Sequence, residues 1–381
     1  MLVFSLLLAC SGSSSSVDGV QGSDALVGLD HQGVAASVDE SPIQSVLPAV
    51  SSAQQDADVP VEKIVQSVAV LEAADMVGAA DWTGDGIDEQ VRFVGEQAYW
   101  EGGSADLGGA PQVIRRARLP HGERLLVGTG MHRGNRAAPA RVHEIGPDGS
   151  RVLWAESGPR NQIADLRILD GRIYVVRFVA NKEVEGAFLE DGRLKSVHRG
   201  GLASQQIPLS DSDVLVGRVY GSKPKSDGDL RRVRNGRAQK LPSLRGVRTM
   251  ELINVDKDDE AELLVGDGWH YAYGKQAVGR VFLLDGPNWT KGRTIAMLDG
   301  EYSARSIESS AALTGGAPES AWLLVTGTKK NHVLRRDVLG WQDVVVGPST
   351  ETSNAVWVRT KAGLAIWAAG ARASRMYLLK Q

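Results

Sequence analysis

The chain has 381 residues, of which 42% are hydrophobic, and it contains 44 glycines and a single cysteine. This composition is that of a globular protein long enough for one large all-β domain, and a single cysteine excludes disulfide bonds within that domain. The charge is unevenly distributed. The chain has 46 acidic and 43 basic residues, and eight of the acidic residues but none of the basic ones precede Lys63. The residues from Lys63 onward therefore carry a net charge of +5 and follow an acidic leader.

The leader begins with an apolar run that ends at Cys10 and is followed by Ser11 and further serines. This pattern resembles a bacterial lipoprotein signal, in which the cysteine becomes the lipidated first residue; a secretory signal with a chance cysteine is the alternative. We expect a signal peptide over residues 1–9, lipidation of Cys10 and attachment to the bacterial cell envelope. The run is shorter than the ~18 residues of a membrane span and has no positive charge before it, so the true start is expected upstream of Met1. Ser11 does not resemble an inner-membrane retention signal, which favours the outer membrane and leaves the leaflet open.

Residues 10–62 are predicted to be a disordered tether. They are rich in Ser, Ala, Val, Gly and Asp, with no aromatic residue and no sustained hydrophobic period. Such a segment cannot bury enough apolar surface to fold. At roughly 5–6 Å × √n, a flexible chain of about 50 residues holds the next domain about 40 Å from its anchor.

Residues 63–381 are predicted to form an all-β domain, a seven-bladed β-propeller. Seven β-type apolar runs recur roughly every 45 residues, with turn signals such as Asp170-Gly171 between them. The runs cover residues 91–95, 125–128, 174–179, 214–217, 263–266, 323–327 and 364–370. About four short strands in each repeat of this length are typical of a propeller, whose blades pack radially around a channel. We expect the ring to close in one blade, with residues 376–379 beside residues 64–71.

Two nine-residue loops carry oxygen-bearing side chains at alternating positions. The first has Asp81, Thr83, Asp85 and Glu89 at positions 1, 3, 5 and 9, with Ile87 at position 7; the second has Asn254, Asp256, Asp258 and Glu262, with Glu260 at position 7. Calcium takes six to eight oxygens, at roughly 2.3–2.6 Å, and the residue at position 7 can add its backbone carbonyl. An EF-hand is excluded, because its bidentate Glu at position 12 is replaced by Arg92 and Val265. The sequence therefore predicts one or two Ca²⁺ sites, with plain acidic turns as the alternative.

The two loops, together with Leu263-Leu264-Val265-Gly266, resemble FG-GAP/VCBS repeats, which build seven-bladed propellers such as the integrin α-chain head. This resemblance implies calcium in a β-hairpin loop and a role in adhesion or interaction. It covers roughly residues 65–381, although only two repeats carry the full loop. Residues 314–318 stand at the equivalent position of another repeat without the ligands, and the Phe-Gly half of the family signature is absent.

No catalytic motif accompanies these loops. The seven histidines are scattered without metal-ligand spacing, and there is no Gly-x-Ser-x-Gly elbow, P-loop or dinucleotide fingerprint. Acidic residues distant in sequence can still converge across a propeller channel, as in glycosidases. Because no catalytic motif is present in the sequence, an enzyme is nevertheless the less favoured interpretation.

Two further features suit binding. A basic cluster could attract an anionic polysaccharide or lipid headgroups, although a solvated outer strand is the simpler interpretation. Its members are Lys223, Lys225, Arg231, Arg232, Arg234, Arg237 and Lys240. Six of nine tryptophans lie in the C-terminal third, where they either stack on sugars or, as we favour, pack between blades.

The sequence thus predicts a membrane-anchored, calcium-stabilised propeller that acts as a binding or scaffold module of the envelope. Its expected partner is another envelope protein or a polysaccharide, with the membrane reached through the Cys10 lipid and with no nucleic acid. A carbohydrate-binding, lectin-like propeller is one alternative, and a hydrolase or lyase acting on envelope polysaccharide is the other. The oligomeric state is left open.

Overall fold

The computed structural model describes residues 65–130, 138–156, 161–179, 183–200, 203–218, 230–242, 244, 246–255, 258, 260–268, 279–298, 304–314, 322–327, 330–337, 340–346 and 354–380. All of these belong to the unit Val59–Gln381, one of two units into which the chain divides. Cys10 and the predicted tether lie outside the described residues.

The described residues form 28 β-strands and one helical turn, Ala311–Thr314, so the domain is all-β as predicted. In this part of the chain no helix is both long and apolar enough to cross a membrane. After the first strand, β1 (Val65–Leu71), the strands follow one another as antiparallel meanders of four, which we number as sheets 1 to 7.

Sheets 1 to 3 occupy the first half of the described chain. Sheet 1 contains β2 (Met76–Ala80), β3 (Glu89–Val94), β4 (Gln97–Trp100) and β5 (Gly103–Asp106). Sheet 2 contains β6 (Ala110–Leu119), β7 (Gly122–Gly130), β8 (Ala140–Gly146) and β9 (Gly149–Glu156). Sheet 3 contains β10 (Gln162–Leu169), β11 (Arg172–Val179), β12 (Glu183–Glu190) and β13 (Arg193–Gly200). Sheets 2 and 3 are continuous through one residue pair, Gln162 with Gly130.

Sheets 4 to 6 repeat the same four-strand order. Sheet 4 contains β14 (Ala203–Ser210), β15 (Asp213–Arg218), β16 (Leu230–Arg234) and β17 (Arg237–Lys240). Sheet 5 contains β18 (Val247–Ile253), β19 (Glu262–Asp267), β20 (Gly279–Leu284) and β21 (Gly292–Leu298). Sheet 6 contains β22 (Ser306–Ser309), β23 (Trp322–Thr326), β24 (Asn331–Asp337) and β25 (Gly340–Val346).

Sheet 7 joins the two ends of the described chain. Its strands β26 (Ala355–Thr360), β27 (Gly363–Ala368) and β28 (Ser374–Leu379) are followed in space by β1, which pairs antiparallel with β28 from Val65 opposite Leu379 to Leu71 opposite Ser374. The predicted pairing of residues 376–379 with residues 64–71 is thereby confirmed for the described part, and it gives the last sheet its fourth strand.

Each of the seven apolar runs read from the sequence is the second strand of its sheet: β3, β7, β11, β15, β19, β23 and β27. These strands are flanked on both faces by neighbouring sheets, so most of their residues are buried; in β19 all six are, whereas in β3 two of six are. The outer strands are different, and all four residues of β17 are exposed. A strand buried on both faces reads as a continuous apolar run, whereas an exposed strand has no distinctive pattern.

Several second strands reach a glycine where the following sheet approaches closely. A Cβ built on Gly128 would lie 2.5 Å from Ile163 Cγ2, and one on Gly217 would lie 2.3 Å from Val247 Cγ1. Because both contacts are to the first strand of the next sheet, the absence of a side chain sets the spacing between sheets.

The hydrophobic core is divided into seven clusters, and each lies between two sheets. Six of them join sheets that are consecutive in the chain, from sheets 1 and 2 to sheets 6 and 7. The seventh joins sheet 7 to sheet 1, where Val77 and Ala79 pack with Val358 and Trp367. Every sheet therefore buries both of its faces against its two neighbours.

Candidate functional site

The first predicted calcium loop connects β2 to β3 and is closed by hydrogen bonds from its own backbone. The Asp81 carboxylate accepts bonds from the N–H groups of Gly84, Asp85 and Gly86, at 2.6, 3.1 and 2.8 Å. The Glu89 carboxylate accepts the Trp82 N–H at 2.9 Å and the Thr83 hydroxyl at 2.8 Å. Positions 1 and 9 thus hold the two ends of the loop together, as local side-chain capping does in other turns.

The second loop connects β18 to β19 and repeats two of these bonds. Glu262 at position 9 accepts the Val255 N–H at 2.8 Å, which matches Glu89 and Trp82. At position 5, Asp258 accepts the Glu260 N–H at 2.9 Å, and Asp85 accepts the Ile87 N–H at the same distance. The two loops therefore share these two bonds but differ at position 1, where Asn254 donates to the Asp258 carbonyl and Asp81 accepts backbone N–H groups; Asp256 lies outside the described residues.

The first loop brings together three of the side chains predicted as calcium ligands. The Thr83 hydroxyl lies 2.8 Å from Glu89 Oε1 and 3.5 Å from Asp81 Oδ1, so oxygens from positions 1, 3 and 9 meet around it. The Asp85 carboxylate instead bonds to its own backbone. In the described ranges, no group of three or more His, Cys, Asp or Glu side chains is arranged to hold a metal ion. The loop chemistry suits a hard cation, but position 5 has to turn inward to complete the shell.

A charge network ties the first loop to two other sheets. Asp88 is fully buried and accepts bonds from the guanidinium groups of Arg116, at 2.5 Å, and Arg359, at 2.8 Å. Arg359 also donates to Glu123 at 2.6 Å, and Glu123 accepts the Asp81 N–H at 2.8 Å. Because these residues come from sheets 1, 2 and 7, the network spans the junction where the first and last sheets of the chain meet.

The predicted basic cluster is partly neutralised. Arg232 and Arg234 both donate to Asp213 on the adjacent strand, each at 2.8 Å in its closest contact. These pairs hold the pKa of Asp213 below its ordinary value, against burial, which alone would raise it. Arg237 and Lys240 are exposed on the outer strand β17, whereas Lys223 and Lys225 lie outside the described residues.

The described tryptophans pack against neighbouring sheets, and two of them, Trp100 and Trp367, also line an open groove of about 350 Å³ together with Tyr99. Trp289, Trp357 and Trp367 are buried in three of the clusters between sheets, and Trp322 and Trp341 pack against two of them. The large apolar side chains that are exposed in this part of the chain include no aromatic residue. The predicted packing role is confirmed for these five tryptophans.

One cavity of about 390 Å³ is lined by residues from all seven sheets. Its wall is about equally polar and apolar; the apolar part includes Leu166, Leu252 and Trp357, and the polar side chains converge from four sheets. These polar residues are Arg115, Arg116, Arg167, Glu251, Glu308 and Ser309. Its volume lies within the range of small-molecule sites, although such sites are usually more apolar.

A chain of ion pairs forms one side of the cavity. Arg115 and Arg167 both donate to the buried Asp165, at 3.1 and 2.8 Å, and Arg167 reaches on to Glu251. Burial alone would raise the pKa of Asp165, but the two guanidinium groups outweigh it and hold the pKa below its ordinary value. Every side-chain nitrogen of Arg167 donates to the protein, because its Nη2 bonds to the Met250 carbonyl at 2.7 Å.

The opposite side is less completely paired. Arg116 donates through Nε and Nη2, whereas its buried Nη1 has no hydrogen-bond partner within the described residues and forms an ion pair with the Glu123 carboxylate at 3.8 Å. Glu308 forms no ion pair with the side chains described, and burial raises its pKa despite the nearby Arg115 and Arg116. The cavity therefore combines guanidinium groups that are already paired with carboxylates and one carboxyl group, Glu308, whose pKa burial raises.

The sequence did not indicate the cavity, because its polar residues are ordinary charged residues in unremarkable strands. One signal was available, namely that each lies on the first strand of a repeat, just before an apolar run. Aligning the seven repeats would have placed Arg115, Arg167, Glu251 and Glu308 at neighbouring positions. No protein-family model matches the chain, and no curated protein matches it.

Proposed function

We propose that the described domain is a seven-bladed β-propeller in which each four-stranded sheet is one blade. The observation that carries this proposal is the cavity, since the first strands of all seven sheets contribute to its wall. The first strands of sheets 1 to 6 also contact one another in chain order, and β26 of sheet 7 contacts β23 of sheet 6 and β2 of sheet 1. Seven blades around one axis account for both facts, and the resemblance to FG-GAP/VCBS repeats in the two loops agrees with them.

We propose further that this propeller is a binding or scaffold module of the bacterial envelope. A hydrolase that uses two carboxyl groups needs both in the cavity. Glu251 is occupied by Arg167, which leaves Glu308 as the cavity carboxyl with no ion pair among the described side chains. For a lectin, the described tryptophans offer one open groove, where Trp100 and Trp367 lie with Tyr99; Trp367 is only 3% exposed, so little ring surface is available to stack a sugar. A binding or scaffold module is therefore preferred both to the hydrolase or lyase and to the sugar-stacking lectin.

Calcium in the two loops is proposed to stabilise this module. Adding millimolar calcium should raise the melting temperature by roughly 3–5 °C, since ligand at ten times Kd stabilises by about 1.4 kcal/mol. Chelator should lower it again, and magnesium should act weakly because it resists dehydration. Asp256→Ala should remove more of the shift than Thr83→Ala, because it removes a charge. The measurement is a melting curve for each variant with calcium, magnesium or chelator.

A matched control for this experiment is Asp148→Ala, in the exposed hairpin turn between β8 and β9. It removes the same side chain from a turn with no ligand pattern and should keep the full calcium shift. Melting curves of the unaltered protein that do not respond to calcium or chelator would mean that both loops are plain acidic turns.

Envelope attachment is proposed to depend on a lipid at Cys10. Cys10→Ala should move the protein from the detergent-rich to the aqueous phase in detergent partitioning, because the acyl chains are its only proposed anchor. Cys10→Ser provides a second variant with nearly the same side-chain size. Equal membrane association of all three proteins would contradict lipidation.

A further inference from the structure

We propose that an open pocket at the outer edge of sheets 4 and 5 binds the phosphate group of a phosphorylated sugar. The pocket is lined by the hairpin β16–β17 and by Asn288, which lies in the turn from Asp285 to Lys291, where the two end charges cancel. Its volume of about 660 Å³ is within the usual range for small ligands. This inference rests on the proposed function in treating the chain as a binding module whose expected partners include a polysaccharide; it requires neither calcium nor the Cys10 lipid.

Three arginines line this pocket and have one carboxylate between them. Arg232 and Arg234 share Asp213, which both reach at 2.8 Å in their closest contacts. Arg237 forms no ion pair or hydrogen bond with the described residues, and none of the described residues that line the pocket is acidic. The pocket therefore keeps two positive charges in excess, and these match the charge of roughly −1.5 to −2 on a phosphate monoester at pH 7.

The hairpin itself gains nothing from one of these charges. Arg234 and Arg237 stand directly opposite each other on either side of the two-residue turn Asn235-Gly236. Like charges in directly opposite positions destabilise a pair of strands. The equivalent hairpin of sheet 3 has opposite charges at these positions, with Glu190 facing Arg193. Since strand pairing does not account for Arg237, its role is assigned to the ligand.

The other two arginines are held in place for binding. Arg232 lies between Asp213 and the ring of Trp289, with its guanidinium carbon 5.4 Å from the ring centroid, and its Nη1 is solvent-accessible without a partner in the described chain. Arg234 bonds to Asp213 through Nε, which leaves both of its Nη groups to donate. Guanidinium groups fixed in this way offer paired N–H groups that match phosphate oxygens.

The remaining lining favours a sugar over a lipid as the body of the ligand. The side-chain amides of Asn235, Gln239 and Asn288 form no hydrogen bond with the described residues, and they can both donate to and accept from hydroxyl groups. Binding to a bilayer gains from apolar side chains that enter it beside the basic patch. Ala238 is the one apolar side chain of the described lining, and the exposed large apolar side chains of the described chain all lie elsewhere. The sugar is thus recognised by charge and hydrogen bonds, without ring stacking.

The test is titration calorimetry of the full chain with glucose 6-phosphate, glucuronate and glucose. Glucose 6-phosphate should bind saturably, and glucuronate should bind at least roughly tenfold more weakly because it brings one charge fewer and a smaller set of charge-assisted hydrogen bonds. Glucose should show no measurable binding. Affinity for the phosphate should rise from about pH 5 to about pH 7.5, as the ester loses its second proton near pH 6 while the guanidinium groups stay charged.

Two matched variants separate binding from folding. Arg237→Gln should weaken binding of glucose 6-phosphate roughly tenfold or more, yet leave the melting temperature unchanged or raised, because it relieves the like-charge pair with Arg234. Arg193→Gln makes the same change at the equivalent exposed position of sheet 3 and should bind as the unaltered protein does. Equal binding by the unaltered protein and Arg237→Gln, or no saturable binding of glucose 6-phosphate, would overturn the proposal.

A lipid source of the phosphate is tested with Cys10→Ser, which removes the proposed anchor. Vesicles of phosphatidylcholine should sediment this variant equally well with and without phosphatidic acid. Stronger sedimentation with phosphatidic acid, lost in Cys10→Ser combined with Arg237→Gln, would replace the sugar by a lipid headgroup. A calcium response without binding of glucose 6-phosphate would refute this inference alone, and binding without a calcium response would refute the calcium loops alone.

Discussion

Deleting the strand Val65–Leu71 should destabilise the domain more than any single substitution. The strand forms six residue pairs with β28, and Val65 is buried beside Tyr377 and Leu379. At about 0.5–1.5 kcal/mol for each net hydrogen bond, its loss costs roughly 3–9 kcal/mol, a large share of a typical folding free energy. Thermal unfolding of a chain that starts at Glu72, compared with one that starts at Val59, measures the effect.

The comparison with the Val59 start is the matched control, because that cut removes only the other unit of the chain. It should leave the melting temperature unchanged. A peptide of sequence Val65–Leu71, added in excess to the shorter protein, should restore part of the lost stability by pairing with the open edge of β28. Equal melting temperatures of the two truncated proteins would show that β1 contributes nothing to closing the last sheet.

Replacing Asp88 by Asn should have the next largest effect. The fully buried carboxylate holds Arg116 and Arg359, and it also accepts the Arg359 backbone N–H at 2.7 Å. Removing one partner of a buried ion pair leaves uncompensated charge and typically costs about 3–5 kcal/mol. Chemical unfolding should therefore show a lower midpoint with little change in slope, since the surface exposed on unfolding stays the same.

Asp211→Asn is the control for this substitution, because it removes the same charge from an exposed pair with Arg172. Pairs at the surface are screened by water and contribute little, so its midpoint should match that of the unaltered protein. If Asp88→Asn and Asp211→Asn behaved alike, the junction of sheets 1, 2 and 7 would owe its stability to apolar packing instead.

The sequence by itself determined the strand repeat, because the second strand of each sheet is buried on both faces. Burial on both faces demands uninterrupted apolar side chains, and residues 263–266 and 364–370 show this directly. The fourth strand of a sheet is more exposed, so β13 and β17 have almost no hydrophobic pattern that identifies them in the sequence. Turn chemistry was equally local: Asp170 and Gly171 both adopt positive φ angles, at 52° and 74°, in the hairpin they predicted.

The two nine-residue loops were also visible in the sequence, since the hydrogen bonds within each loop join residues at most seven positions apart. The bonds that the Gly84 N–H donates to Asp81 and the Val255 N–H donates to Glu262 need no information from another sheet. The contacts that Glu123 and Arg359 make with the first loop do depend on other sheets, because these residues lie 42 and 278 residues from Asp81 along the chain. The spacing of the ligands therefore predicted the loop but not its surroundings.

Only the tertiary structure decided the charge environment. Arg232 and Arg234 formed a basic cluster in sequence, yet both pair with Asp213 on the neighbouring strand, which neutralises the cluster in part. Arg116 and Glu308 are 192 residues apart and meet only because seven sheets place their first strands around one cavity. Apolar patterns survive in a sequence because burial constrains each residue separately, whereas a polar site depends on which strands become neighbours, and that is decided by the packing of the sheets.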